Sequence, residues 1–266
     1  MKILFIGDIY ASPGRKVLKD FLPALKKKYN PDMTIANGEN MAGGSGVTPQ
    51  TYQEMMQCGV DLMTGGNHSF DKKEGYKVLA DEAFCLRPAN YPKGLPGRGL
   101  VSYPILGKGS VSVINLIGRT FMPPNDCPFR KADELIEIAQ EKSSVIIVDF
   151  HAEASSEKMA MGWHLDGKVS LCVGTHTHIP TADERILPQG TAYITDLGMT
   201  GSYDSVIGVK KEIIVEKFLM TRGKKFETAK GNPWVCGVFA EIDEESGCAI
   251  SIERIRVEAD APHTHP

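Results

Sequence analysis

The stretch Val60-Asp61-Leu62-Met63-Thr64-Gly65-Gly66-Asn67-His68 decides how this chain is read. Val60–Met63 has the apolar character of a short buried strand. The paired glycines after it let the backbone turn sharply and approach an ion or phosphate with no side chain between. Asn67 then offers a neutral oxygen, and His68 a group that carries a proton near neutral pH. Alone, such a turn is an ordinary loop. Four other segments that close apolar runs carry the partners it would need: Asp8, Glu39-Asn40, His151, and His176 with His178.

Outward from that turn, strand and helix patterns alternate. Ile3–Ile6 reads as a strand ending at Gly7-Asp8. Arg15–Tyr29 carries the helical stripe Val17, Leu18, Phe21, Leu22 and Leu25, with Pro23 expected to kink it or delay its start. Met33–Ala36 is a second strand, and Thr48-Pro49 has the form of an N-cap followed by a first-turn proline.

In the middle, Leu100–Leu106 and Val111–Ile117 flank Gly107-Lys108-Gly109 as a hairpin. Gly118–Pro128 is a long irregular loop and Phe129–Gln140 a helix. Val145–Val148 is a strand leading to His151, and Val169–Val173 one leading to His176 and His178. Ile186–Thr195, Val235–Ile242 and Ala249–Val257 supply further strands, with a helix at Lys211–Met220. Strands in both halves, each with helices to cover it, predict an α/β fold of two packed sheets with helices outside. Residues 1–259 are expected to form a single domain, with a flexible tail at 260–266.

Composition narrows the function. The net charge of −3 gives no general grip on nucleic acid, so nucleotide chemistry requires a local site. Six scattered cysteines without close pairing favour reduced thiols over a disulfide framework. Ile3-Leu4-Phe5-Ile6 is too short for a signal-peptide core, and no run approaches the length of a membrane span. A cytoplasmic location, without membrane partners, is expected.

The candidate ligands have a chemistry of their own. His176 and His178 lie two apart, so in an extended segment both side chains point one way. Asp8 is alternatively a helix-capping carboxylate, and His151 alternatively a satisfied core histidine. Glu39 can bridge two cations, whereas buried and unpaired it would be costly. Mixed imidazole, carboxylate and amide donors suit iron, manganese or zinc better than calcium. Their number is enough for two ions, and a two-metal site suits in-line displacement at phosphorus.

The order Gly7-Asp8, Gly38-Glu39-Asn40, Gly66-Asn67-His68, His151 and Gly174-Thr175-His176-Thr177-His178 resembles the calcineurin-like metallophosphoesterases. Ser12-Pro13-Gly14-Arg15, Arg87-Pro88-Ala89-Asn90, Gly118-Arg119-Thr120-Phe121, Asp149-Phe150-His151-Ala152-Glu153 and Ala192-Tyr193-Ile194-Thr195-Asp196 are similar to the YmdB-like branch specifically. The resemblance covers nearly the whole chain. It implies a four-layer αββα sandwich, two mixed sheets flanked by helices, and a dinuclear metal centre. It also implies phosphodiesterase activity on cyclic nucleotides.

By that resemblance Asp8, Glu39, Asn40 and His178 hold one metal, while Glu39, Asn67, His151 and His176 hold the other, with Glu39 bridging. Two departures from the superfamily stand out. Tyr10 replaces a histidine ligand and Glu39 replaces an aspartate; the Asn40 amide oxygen is read as restoring the lost ligand. That exchange should favour iron or manganese over zinc, with magnesium a further alternative.

The expected reaction is attack of a metal-activated hydroxide on a cyclic phosphodiester, 2′,3′-cyclic phosphates foremost, with His68 as general acid. The rival readings are a phosphomonoester or phosphoprotein phosphatase, and a metal-dependent regulator that binds nucleotide or RNA with weak turnover. Beyond its phosphodiester substrate, the chain is expected to form a homo-oligomer and to have an RNA-related regulatory role. Cys172 reads as core, His164 as surface or packing, and His263 and His265 as tail. Arg119 either clamps a phosphate or makes a structural ion pair.

Overall fold

The structure, a computed structural model, describes residues 1–221 and 223–259; the tail expected at 260–266, with His263 and His265, lies outside the described residues. The first third of the chain forms β1 (Lys2–Ile6), β2 (Asp8–Ile9), α1 (Ala11–Tyr29), β3 (Met33–Asn37), α2 (Pro49–Cys58), β4 (Leu62–Thr64) and α3 (Lys73–Asp81). The middle forms β5 (Leu100–Ile105), β6 (Gly109–Ile117), α4 (Pro128–Gln140), β7 (Val145–His151), α5 (Ser155–Leu165) and β8 (Leu171–Thr175). The last third forms β9 (Arg185–Ile186), β10 (Ala192–Ile194), β11 (Met199–Ser202), α6 (Lys211–Met220), β12 (Pro233–Ile242) and β13 (Ala249–Glu258).

These strands build two mixed sheets. One has the order β2-β11-β12-β1-β3-β4, with β13 on β12; the other has the order β5-β6-β7-β8-β10-β9. In the first, β1, β3 and β4 run parallel; in the second, β6, β7, β8 and β10 do. Parallel strands bury both faces, and the side-chain alternation shows how. Ile3 and Phe5 of β1 point between the sheets, where they meet Val113, Ile147, Leu171 and Val173 of the second sheet. Leu4 and Ile6 point the other way, against Leu18, Leu22, Met55 and Leu79 of α1, α2 and α3. On the far side, Ile136, Met161 and Leu165 of α4 and α5 cover Ile114, Val148 and Cys172. The result is the four-layer αββα sandwich.

Several elements differ from the sequence reading. Helix α1 starts at Ala11, ahead of Arg15, and runs through Pro23 without delay. An internal proline costs about 3 kcal/mol; burial of Leu18, Leu22 and Leu25 on the core face offsets it. Strand β7 continues to His151, so Asp149, Phe150 and His151 lie within the strand rather than after it, all buried. Helices α3 and α5 were not anticipated. In α5 the usual pattern is inverted: Lys158 and Gly162 are buried while Met159 and Trp163 are exposed, so no apolar stripe is legible. The Thr48 cap is present as a capping box with Thr51, and β5–β6 is the expected hairpin. All six cysteines are free.

Candidate metal centre

The ends of β3 and β4 meet those of β7 and β8 at one edge of the sandwich. His151 Nε2 lies 3.2 Å from Glu39 Oε1 and 2.9 Å from Asn67 Oδ1, and His176 Nδ1 is 3.1 Å from His151 Nε2. Donor atoms of Glu39, His151 and His176 all fall within 4.8 Å of one another. A second group adjoins the first: His178 Nε2 is 3.2 Å from Asn40 Oδ1 and 3.9 Å from Asp8 Oδ1. The His176 amide N–H, 3.3 and 3.2 Å from the two Asp8 carboxylate oxygens, ties the groups together. All seven candidate ligands are therefore gathered in one place.

Counting protons shows what this arrangement needs. Thr175 Oγ1 spends its only proton on Asp149 Oδ1 at 2.7 Å, so it accepts from His151 Nδ1–H at 2.9 Å. Burial lowers the His151 pKa, but Glu39, Asp8 and Asp149 raise it by more, so the proton on Nε2 is the one a cation would displace, leaving a lone pair that faces Glu39, Asn67 and His176. His176 likewise directs Nε2 to the Glu153 carboxylate at 2.9 Å, which leaves its Nδ1 as an acceptor. His178 Nδ1 donates to the Ile207 carbonyl at 3.0 Å, freeing its Nε2 lone pair. Asn40 donates through Nδ2 to the Gly44 carbonyl at 3.0 Å, so its Oδ1 is the atom turned to His178. With that proton displaced, acceptors face acceptors in both groups. Among the described residues Glu39 Oε1 is buried with no hydrogen-bond partner. Such an orphan is costly in a protein interior, and a cation resolves it.

The steric frame agrees. A Cβ on Gly66 would lie 2.2 Å from Glu39 Oε2 and 2.3 Å from His151 Nε2, so only glycine leaves the cradle open at this point. His176 and His178 have φ of 98° and 65°, left-handed values that are uncommon for non-glycine residues. The segment is therefore not extended, and the two rings serve different groups rather than pointing one way. A buried ion pair holds it. Lys158 Nζ donates to the Thr175 carbonyl at 2.6 Å and to Asp196, whose carboxylate accepts from Thr177 N–H at 3.2 Å and Gly198 N–H at 2.8 Å.

Burial, opposed by attraction to His151, pushes the Asp8 carboxyl well above its ordinary range. At Glu39 burial is outweighed by attraction to His151 and His68, which holds it at about 2. Burial and the neighbouring His151 hold His176 down at about 3, so it stands as a neutral ring, ready to donate a lone pair.

The remaining sites fall into place around this cluster. Asp8 is fully buried and caps nothing; the N-cap of α1 is Tyr10, without a side-chain cap bond. The Tyr10 ring packs edge-on to His178, with centroids 5.6 Å apart, and its hydroxyl reaches toward Gly44. His68 is joined to the cluster by its backbone, N–H to Glu39 Oε2 at 2.9 Å, while its Nδ1 pairs with Asp71 Oδ2 at 2.7 Å. Cys172 is core, and His164 packs on Phe129 and pairs with Asp133. Arg119 is exposed and makes no ion pair among the described residues. Sequence reasoning missed the roles of Thr175, Asp149, Glu153 and Lys158, none of which carries a local signal beyond residue type; the close approach at Gly66 is the one its glycine pair suggests.

Two mixed sheets between helical layers, with this donor set across their strand ends, define the metallophosphoesterase fold. The family model described as YmdB-like protein matches residues 4–255, and the chain belongs to that family. It is 50% identical to the 2′,3′-cyclic-nucleotide 2′-phosphodiesterase of Bacillus subtilis, over 98% of each chain. A hypothetical protein from Thermus thermophilus superposes with a TM-score of 0.90 at 42% identity, covering 97% of this chain and 99% of that one. A crystal structure from Mycoplasma pneumoniae, described as a novel phosphatase, gives 0.91 at 36% identity, covering 97% and 93%.

Proposed function

We propose that the chain is a metal-dependent phosphoric diester hydrolase acting on cyclic nucleotides, 2′,3′-cyclic phosphates foremost. The observation that carries this reading is the convergence of ligand atoms of Glu39, His151 and His176, all within 4.8 Å of one another, around the orphaned Glu39 Oε1. Asp8, Asn40 and His178 would hold one divalent cation and Asn67, His151 and His176 a second, with Glu39 shared between them. The oxygen-rich half favours iron or manganese. When bound, such cations make water a nucleophile at neutral pH and neutralise charge on phosphoryl oxygens.

The chain's own residues do the rest. Asp149 and Thr175 fix the tautomer that presents His151 Nε2, and Glu153 does the same for His176. Asp71 takes up Nδ1 of His68, which leaves Nε2 to give its proton to the departing sugar oxygen. A cyclic phosphate needs that proton, because its alkoxide leaves poorly. The substrate class is supported by the name of the Bacillus subtilis relative. Cyclic 2′,3′-phosphates arise when an RNA 2′-hydroxyl attacks its own backbone, which would connect the activity to RNA cleavage.

A cytoplasmic location fits six free cysteines, and no helix among the described residues is long and apolar enough to cross a membrane. Homo-oligomer formation is supported by the exposed apolar side of α6, with Val215, Phe218, Leu219 and Met220. The description of the Mycoplasma pneumoniae relative favours one rival, a phosphomonoesterase. Turnover of a 2′,3′-cyclic nucleotide by manganese-loaded protein, compared with the matching 2′- and 3′-monophosphates, decides between them. We expect the cyclic diester to be the better substrate. Faster release of phosphate from the monoesters would replace this reading, and tight metal-dependent binding with negligible turnover would favour a regulator.

A further inference from the structure

Phe121 is 88% exposed and has φ of 61°, so a large apolar side chain stands in solvent on a left-handed backbone. It is the third residue of a turn closed by Met122 N–H to the Arg119 carbonyl at 3.3 Å, the position that turns with positive φ normally fill with glycine. Neither cost serves the fold, since glycine or asparagine would make the turn and leave no apolar side chain in water. Strain of this kind persists where the surroundings enforce it, and it concentrates at binding sites.

The surroundings do enforce it. Buried Asn90 bonds both ends of the loop: its side chain accepts from Ile117 N–H at 2.9 Å and donates to the Ile117 and Asp126 carbonyls at 2.7 and 2.9 Å. The Glu157 carboxylate accepts from the backbone N–H groups of Arg119, at 3.0 and 3.2 Å, and Thr120, at 3.0 Å. The loop is therefore clasped at its base and just before its tip. It also starts at the metal centre, because Gly118 N–H donates to the carbonyl of His151 at 3.0 Å. From Gly118 to Phe121 the chain can span at most about 10 Å, so the Phe121 backbone lies within that reach of the strand end that carries His151.

We infer that Phe121 is the platform on which the base of a nucleotide substrate stacks while its phosphate lies at the metal centre. The inference rests on the phosphodiesterase reading above. Aromatic faces accept any base, so recognition would be broad, with purines held more strongly than pyrimidines. The side chain binds substrate and takes no part in the bond change.

The test compares Phe121→Ala, Phe121→Gly and Phe121→Trp in metal-loaded protein, on adenosine 2′,3′-cyclic phosphate and on the base-free methyl riboside 2′,3′-cyclic phosphate. Loss of one base–aromatic stack should raise KM for the adenosine ester by about tenfold or more, and far more than for the base-free ester. Trp should restore it. Gly relieves the backbone, so its thermal midpoint should not fall although its KM rises; that pairing separates stacking from loop structure. Equal losses on both esters, or none on either, would overturn the stacking and leave the activity standing. Wild-type protein that hydrolyses neither ester would overturn the activity and this inference together.

Discussion

His68→Ala should keep its metals and lose kcat by about 10²–10⁴-fold on a cyclic nucleotide, the range typical of general acid catalysis. Retention of the metals follows from the way the residue is attached. Its contact with Glu39 is made by the backbone N–H at 2.9 Å, which alanine preserves, whereas the imidazole turns to Asp71 and is 37% exposed. The neighbouring Asn67 has the opposite character, with its amide oxygen 2.9 Å from His151 Nε2. The loss should shrink sharply on a nitrophenyl phosphodiester, because nitrophenolate departs without a proton. Equal damage to both substrates would make His68 a phosphate-positioning residue. Loss of metal would make it a ligand, and the proton donor would have to be another group.

Gly66→Ala should weaken metal binding at the centre severely while leaving the fold in place. The backbone at Gly66 has no left-handed φ, so alanine is not excluded by conformation. What excludes it is the 2.2 and 2.3 Å approach of its Cβ to Glu39 Oε2 and His151 Nε2. Both are side-chain ends, so they can yield, but only by leaving the positions in which they face Asn67 and His176. We expect metal affinity to fall by ~100-fold at a stability cost of about 1–3 kcal/mol, measured by metal titration and thermal unfolding. An alanine variant that binds metal like the wild type would mean that the cluster lies elsewhere.

Strand ends were the legible part of this chain. Short apolar runs followed by Gly-Asp, Gly-Glu-Asn or Gly-Asn-His announce a buried strand and a turn by residue type alone, and the candidate residues they carry lie together. The His-x-His pair reached the right place for a different reason. Its two rings diverge because both residues are left-handed, a conformation imposed by Lys158 and Asp196 from remote parts of the chain. Lys158 in turn sits on the buried side of α5, where a lysine argues against burial until its partner is known. Residues that orient the candidate ligands, such as Asp149 and Thr175 beside His151, look in sequence like ordinary polar residues of a strand. Nothing local distinguishes Gly66 from the glycine before it; its role comes from Glu39, in the turn after β3, and His151, at the end of β7.

The central claim is that one buried carboxylate serves two cations. Metal content per chain, measured on protein purified without chelator and reloaded with manganese, tests it most directly when wild type and Glu39→Ala are compared. Close to two ions per chain are expected in the wild type, and weakened retention of both in Glu39→Ala. A single ion per chain, held equally well without the Glu39 carboxylate, would contradict the account.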